Sequence, residues 1–272
     1  MFKKIALAAA LVSSAAFATW DYYPVLEAGK GSVKGNLYYN WDHDWSNAGL
    51  GIGVRYSVIQ NLEISLQDWG YQFWGESDCS GCVNGGSGLR DLTIGARYQF
   101  DPSFNGFVDL ILPVGNDEIE YGANGSRTTP PSSEEIALYL GGQFSMPIKE
   151  APGLKFGTEA GLFWGFEHDN RERGLELHMG GEIAYTVPNT EITPLFGMQL
   201  KFRLTESTWE EGDVEVGGDD DGDHQITIWL GCGIYVIPKQ LEVTGKLFVR
   251  SGDHDNMGGD ATGLYVGAEF FF

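Results

Sequence analysis

The last ten residues, Gly263-Leu-Tyr-Val-Gly-Ala-Glu-Phe-Phe-Phe272, decide the fold. Read with the two-residue period of a strand, they put Leu264, Val266, Ala268, Phe270 and Phe272 on one face. Tyr265, Gly267, Glu269 and Phe271 fall on the other. Termini of soluble domains tend to fray into water, so a flush ending on three phenylalanines is out of place there. A last strand half buried in lipid, closing a barrel without a free edge, accommodates it.

The other end agrees. Lys3 and Lys4 precede an apolar run, Ile5 to Val12, and then Ala16-Phe17-Ala18. These are the basic, apolar and small-x-small parts of a secretory signal, expected to span 1–18 and to be cut after Ala18. The apolar run is too short for a membrane anchor, and no later run reaches helical transmembrane length. The 39 glycines, the 13% aromatic content and the lack of a Pro/Ser-rich linker favour a single domain over 19–272. Without the signal's two lysines, 15 basic residues face 38 acidic ones, a net charge of −23. Nucleic acid, which needs a basic footprint, is excluded as a partner.

Working back from Phe272, segments of about ten residues with alternating apolar positions recur twelve times. They fall near 32–40, 48–58, 62–72, 89–100, 106–114, 134–146, 154–166, 174–187, 191–204, 225–236, 241–250 and 263–272. Connections alternate between short turns, such as Ile59–Asn61 and Pro188–Thr190, and longer polar stretches, such as 73–88, 115–133 and 205–224. Aromatics mark strand ends: Tyr39, Tyr98, Phe100, Trp164, Tyr185 and Phe202. The expected fold is all-β: a 12-stranded antiparallel outer-membrane barrel with short periplasmic turns and long extracellular loops. A secreted β-sandwich would also alternate, but needs neither twelve strands of one length nor aromatic ends.

Two stretches resemble a known family. Gly88-Leu-Arg-Asp-Leu-Thr-Ile-Gly-Ala-Arg-Tyr-Gln-Phe100 and Leu110-Ile-Leu-Pro-Val-Gly-Asn-Asp117 are similar to strand motifs of outer-membrane barrels of the meta-pathway phenol-degradation transporter type. Arg90 stands where that family usually has glycine. The resemblance implies a twelve-stranded barrel and uptake of small, often hydrophobic compounds. The ending on Phe272 resembles the C-terminal phenylalanine signal of outer-membrane barrels, which implies recognition by their assembly machinery.

Strand parity assigns the lumen. Inward cations are Lys34, Arg55, Arg97, Lys155, Lys201, Arg203, Lys246 and Arg250. Inward anions are Glu63, Asp91, Asp109, Glu135, Glu159, Glu176, Glu182, Glu242 and Glu269, so eight positive charges meet nine negative ones. Inward rings are Tyr38, Trp69, Tyr71, Phe107, Tyr139, Phe163, Trp229, Tyr235 and Phe248, with His178 beside Glu176 and Glu182. From these, Arg55, Glu63, Trp69, Arg97, Asp109, Tyr139, Lys155, Glu159, Glu176, His178, Glu182, Lys201, Arg203, Trp229, Lys246 and Arg250 are the candidate solute-binding lining. Mixed signs argue against selection of one strongly charged solute, for which like charges would ring the pore. They suit either a mixed lining or a salt-bridged interior. Twelve strands about 4.8 Å apart and tilted about 40° give a backbone diameter of roughly 24 Å, small-molecule width once side chains are added.

Three smaller patterns are weaker. Asp219, Asp221 and Asp223 have the first spacing of a calcium loop without its glycine and closing glutamate, so a solvated acidic loop over 205–224 is the simpler account. Cys79 and Cys82 sit in a flexible exported loop, where a small disulfide fits better than redox work. His178 has no serine placed to partner it, which argues against hydrolysis of an acyl bond. No residue pattern asks for a cofactor. The expectation is an outer-membrane channel for small polar or amphipathic solutes, aromatic ones included. The alternative is a non-transporting surface barrel with acidic loops. Expected partners are membrane lipid and lipopolysaccharide around the belt, the assembly machinery at Phe272, and the solute.

Overall fold

A strand that alternates apolar with polar side chains has two surfaces of opposite preference, and a sheet of such strands gains by curling one surface away from water and the other into it. The computed structural model describes residues 23–42, 46–74, 86–118, 130–132, 134–167, 171–211, 214–218, 220–253 and 259–272. The expected signal peptide, the candidate disulfide Cys79–Cys82, and Asp219 lie outside the described residues.

Among the described residues, twelve long strands make one ring. They are β1 (Gly31–Trp41), β2 (Ser46–Ile59), β3 (Leu62–Trp74), β5 (Leu92–Asp101), β6 (Phe104–Leu112) and β7 (Ala137–Pro147). The rest are β8 (Leu154–Gly165), β10 (Glu176–Tyr185), β11 (Ile192–Arg203), β14 (His224–Ile237), β15 (Leu241–Gly252) and β16 (Ala261–Phe271). Each pairs antiparallel with its neighbours, and β1 pairs with both β2 and β16, so the sheet closes. Phe272 stays in that seam: its N–H donates to the Gly31 carbonyl at 2.9 Å and its carbonyl accepts from Gly31 at 3.0 Å. Closure leaves the barrel no unpaired edge.

The two surfaces separate sharply on β14, where Leu230 is 63% exposed while its neighbour Trp229 is 2% exposed. Leu37, Ile52, Ile94, Leu140, Phe196, Val249 and Val266 continue the outward apolar band. The aromatics expected at strand ends, Tyr39, Tyr98, Phe100, Trp164, Tyr185 and Phe202, all lie on this outer face. Some stack there, as Tyr39 does on Trp41 at 5.5 Å. Short connections at one end use residues that tolerate positive φ, including Asn61 (φ 67°) and Asn189 (φ 61°).

Two features depart from the sequence reading. β3 carries a β-bulge: Ile52 opposes Trp69 and Val54 opposes Leu66, so Gln67 and Asp68 face the single residue Gly53. The extra residue reverses the parity beyond it. Trp69 and Tyr71, expected inward, therefore stand opposite outward Ile52 and Leu50, and buried Gln72 takes the inward place. The other departure is the 205–224 stretch, which is built rather than simply solvated. β12 (Thr208–Glu211) and β13 (Val214–Gly217) form a hairpin that pairs with β9 (Arg171–Glu172) in a small separate sheet. A last two-residue strand, β4 (Gly88–Leu89), pairs with β3.

Candidate functional site: the polar lumen

Inward parity turns polar side chains toward each other across the ring, and their ladder registers decide which ones meet. On β5 and β6, Gly95 opposes Asp109 and leaves room above it. Arg97 reaches into this room, with its Nη2 3.3 Å from Asp109 Oδ2 and its Nη1 donating to Ser65 Oγ at 2.9 Å. Gln67, inside the bulge, donates to the other Asp109 oxygen at 2.7 Å. Next round the ring, Glu159 accepts from Tyr139 Oη at 2.7 Å and from Gln143 Nε2 at 2.5 Å. Arg55 lies 3.7 Å from Glu63 and 3.3 Å from Glu269. On the far side, Glu182 Oε2 accepts from Trp229 Nε1 at 2.8 Å, with Lys246 Nζ 3.5 Å away.

The rings lie along the wall. Tyr38 covers Gly49, Tyr139 covers Gly161, Trp229 covers Gly197 and Phe248 covers Gly263; a side chain at any of these glycines would occupy the space of the ring. Glycine abundance thus lets large aromatics lie flat on the inner face of a narrow barrel.

At the end bearing long loops, His178 Nε2 is 2.9 Å from Glu176 Oε2, and its ring stacks on Phe163 at 5.5 Å. Arg203 Nη2 donates to the other Glu176 oxygen at 2.9 Å. Arg203 Nη1 pairs with Asp220, a buried residue of the 205–224 stretch. Asp220 also accepts from the Ser207 N–H at 2.6 Å and the Ser207 hydroxyl at 2.7 Å. Burial would raise its pKa, but the two Ser207 hydrogen bonds and the Arg203 charge outweigh that and hold the carboxyl below its ordinary value. Glu135 pairs with Arg173 at 3.3 Å nearby.

At the opposite end, residues before β1 enter the mouth. The Leu26 N–H donates to Glu63 Oε2 at 3.1 Å, the Pro24 carbonyl accepts from Arg55 Nη1 at 3.4 Å, and Val25 is buried.

Of the sixteen candidate lining residues, Arg55, Glu63, Arg97, Asp109, Tyr139, Glu159, Glu176, His178, Glu182, Lys201, Arg203, Trp229, Lys246 and Arg250 are buried on the inner face. Lys155 keeps inward parity but sits exposed at the turn end of β8, and Trp69 faces outward through the bulge. Arg90 was missed. It is 1% exposed and lies over the Tyr38 ring at 5.3 Å, because the strand breaks between β4 and β5 and resets the alternation. The outward Leu89 beside it was the available signal. Asp220 had none, being one acid among nine in its stretch. Asp221 is exposed in a turn and the Asp223 carbonyl accepts from the Arg203 N–H; among the described residues, which leave out Asp219, no group of acidic, histidine or cysteine side chains is placed to hold a metal ion.

No family model matches the chain, and no match to a curated protein is found. Solved structures do share its fold. The COG4313 outer membrane channel from Pseudomonas putida F1 superposes with a TM-score of 0.66 at 15% identity, covering 92% of this chain and 98% of that one. The translocator domain of the autotransporter NalP from Neisseria meningitidis gives 0.53 at 12% identity, over 93% and 92% of the two chains. The beta domain of the Bordetella autotransporter BrkA gives 0.53 at 15% identity, over 90% and 100%. The chain has the fold of outer-membrane β-barrels.

Proposed function

We propose that the protein is an outer-membrane channel through which small polar or amphipathic solutes, aromatic ones included, cross along the inner wall. In this reading the outward belt contacts lipid and lipopolysaccharide, the turn end faces the periplasm, and assembly machinery recognises the strand that ends at Phe272. Export follows from the expected signal at 1–18.

One observation carries the reading: more than a dozen ionisable side chains line an interior that apolar residues could have filled. Replacing buried ion pairs by well-packed hydrophobic residues is often neutral or stabilising, so stability alone does not call for such a wall. Water and polar solutes do call for it. The rings lying flat on glycines add apolar surface for an amphipathic solute without crossing the lumen. The fold shared with a COG4313 outer membrane channel supports the same reading.

The near-complete burial of Arg97, Gln143, Asn105 and Asp109 favours a second reading, a closed barrel with a structural role. Planar-bilayer conductance and liposome swelling separate the two. The channel reading expects discrete conductance steps and swelling by small sugars or amino acids. A folded barrel that gives neither would be the structural one. Phospholipid hydrolysis by the purified protein, abolished in His178→Ala, would overturn both.

A further inference from the structure

Lys201 on β11 and Arg250 on β15 face the lumen on either side of β14, whose inward Thr227 stands opposite Gln199 on one side and Arg250 on the other. Lys201 is only 8% exposed, yet its ammonium has no hydrogen bond or ion pair among the described residues. Arg250 donates through Nε to the Gly259 carbonyl at 3.1 Å, and its two terminal nitrogens have no hydrogen-bond partner among the described residues. The Glu176 carboxylate acts electrostatically on Lys201, but both of its oxygens are already taken, one by Arg203 and one by His178. Arg173 adds a further positive charge near Lys201, while Asp42 and Asp260 act on Arg250. Ammonium and guanidinium groups only donate, so neither can satisfy the other, and their terminal nitrogens still reach the lumen from largely buried side chains.

We infer that Lys201, Arg250 and Thr227 form a subsite on the β11–β15 wall for the oxyanion group of a solute, a carboxylate or a phosphate. An oxyanion supplies several acceptor lone pairs to donors that the wall itself leaves without acceptors. The inference rests on the channel reading and narrows it, naming a small organic acid or phosphorylated compound as the class that passes.

The test is calorimetric titration of the refolded full chain in detergent with acetate and with inorganic phosphate, using uncharged acetamide for comparison. At least one anion is expected to bind and acetamide is not. Lys201→Met should weaken binding about ten- to a hundredfold, the worth of one charge-assisted hydrogen bond. Lys201→Arg should keep most of it, and Lys149→Gln, in a turn, should change nothing. Arg250→Gln serves if Lys201→Met does not fold. Equal heats for acetate and acetamide, or full affinity in a folded Lys201→Met barrel, overturn the subsite. Whichever anion binds tells carboxylate from phosphate recognition. The readout is independent of transport. A protein that binds the anion but shows no conductance defeats the channel reading and leaves the subsite. One that conducts without binding does the reverse.

Discussion

The inner wall from β3 to β8 and the inner wall from β11 to β15 bury charge in different ways. On the first, Arg97, Ser65, Gln67 and Asp109 form one closed network, and Tyr139, Gln143 and Glu159 form the next. On the second, Trp229 and Lys246 make one tight group with Glu182 of the adjoining β10. Above it, Lys201 and the terminal nitrogens of Arg250 have no partners among the described residues. Both walls are polar and inward, yet the Arg97–Asp109 charges of the first are paired with each other while the Lys201 and Arg250 charges of the second are not. A wall whose opposite charges are paired holds the barrel in shape; a wall with cationic donors left over is free to meet something else.

The largest effect should come from breaking the closed network. Asp109→Ala removes the carboxylate that pairs with the buried Arg97 guanidinium and should cost about 3–5 kcal/mol, whereas Lys201→Met should be neutral or stabilising. Urea unfolding in lipid vesicles, followed by tryptophan fluorescence, measures both, and equal losses would erase the distinction between the walls. Next, Trp69→Arg tests the β3 bulge. A lipid-facing arginine costs about 2–4 kcal/mol near mid-membrane and less toward the interface, so clear destabilisation is expected. An unchanged midpoint would return Trp69 to the lumen.

A smaller effect, about 1 kcal/mol, is expected for Trp229→Phe, which keeps the ring over Gly197 but removes the hydrogen bond to Glu182. The smallest is a pH effect at the loop end. Asp220 has a folded-state pKa below its unfolded one, so its contribution is complete above about pH 4 and is lost as pH falls through the depressed value. The protection of the Ser207 amide from hydrogen exchange, relative to an unstructured chain at the same pH, should fall on acidification below that range and be pH-insensitive there in Asp220→Asn. Protection that is flat in the parent chain would remove Asp220 as the anchor of the 205–224 stretch.

Much of this was legible in the sequence. All twelve barrel strands follow from alternation, because facing lipid on one side and polar groups on the other imposes a period of two on each strand by itself. Parity then placed fourteen of the sixteen candidate lining residues on the buried inner face. The exceptions have specific causes. Trp69 was displaced by a bulge that exists only in relation to Gly53 on the partner strand. Lys155 lies too close to a strand end to be covered. Arg90 sits at a break where one phase stops and another begins. Residues 23–26 and Asp220 gave no periodic signal, since each is held by side chains from elsewhere in the chain.

The sequence by itself determined that this chain rolls into a closed barrel and which surface each strand turns inward, because those are properties of neighbouring residues along one strand. Only the tertiary structure decided which inward groups satisfy one another. Gln67 meets Asp109 across 42 residues and Trp229 meets Glu182 across 47. Such pairings depend on the register between strands, which no single strand encodes, and on that register rests the difference between a wall whose charges are paired and a wall that waits for a partner.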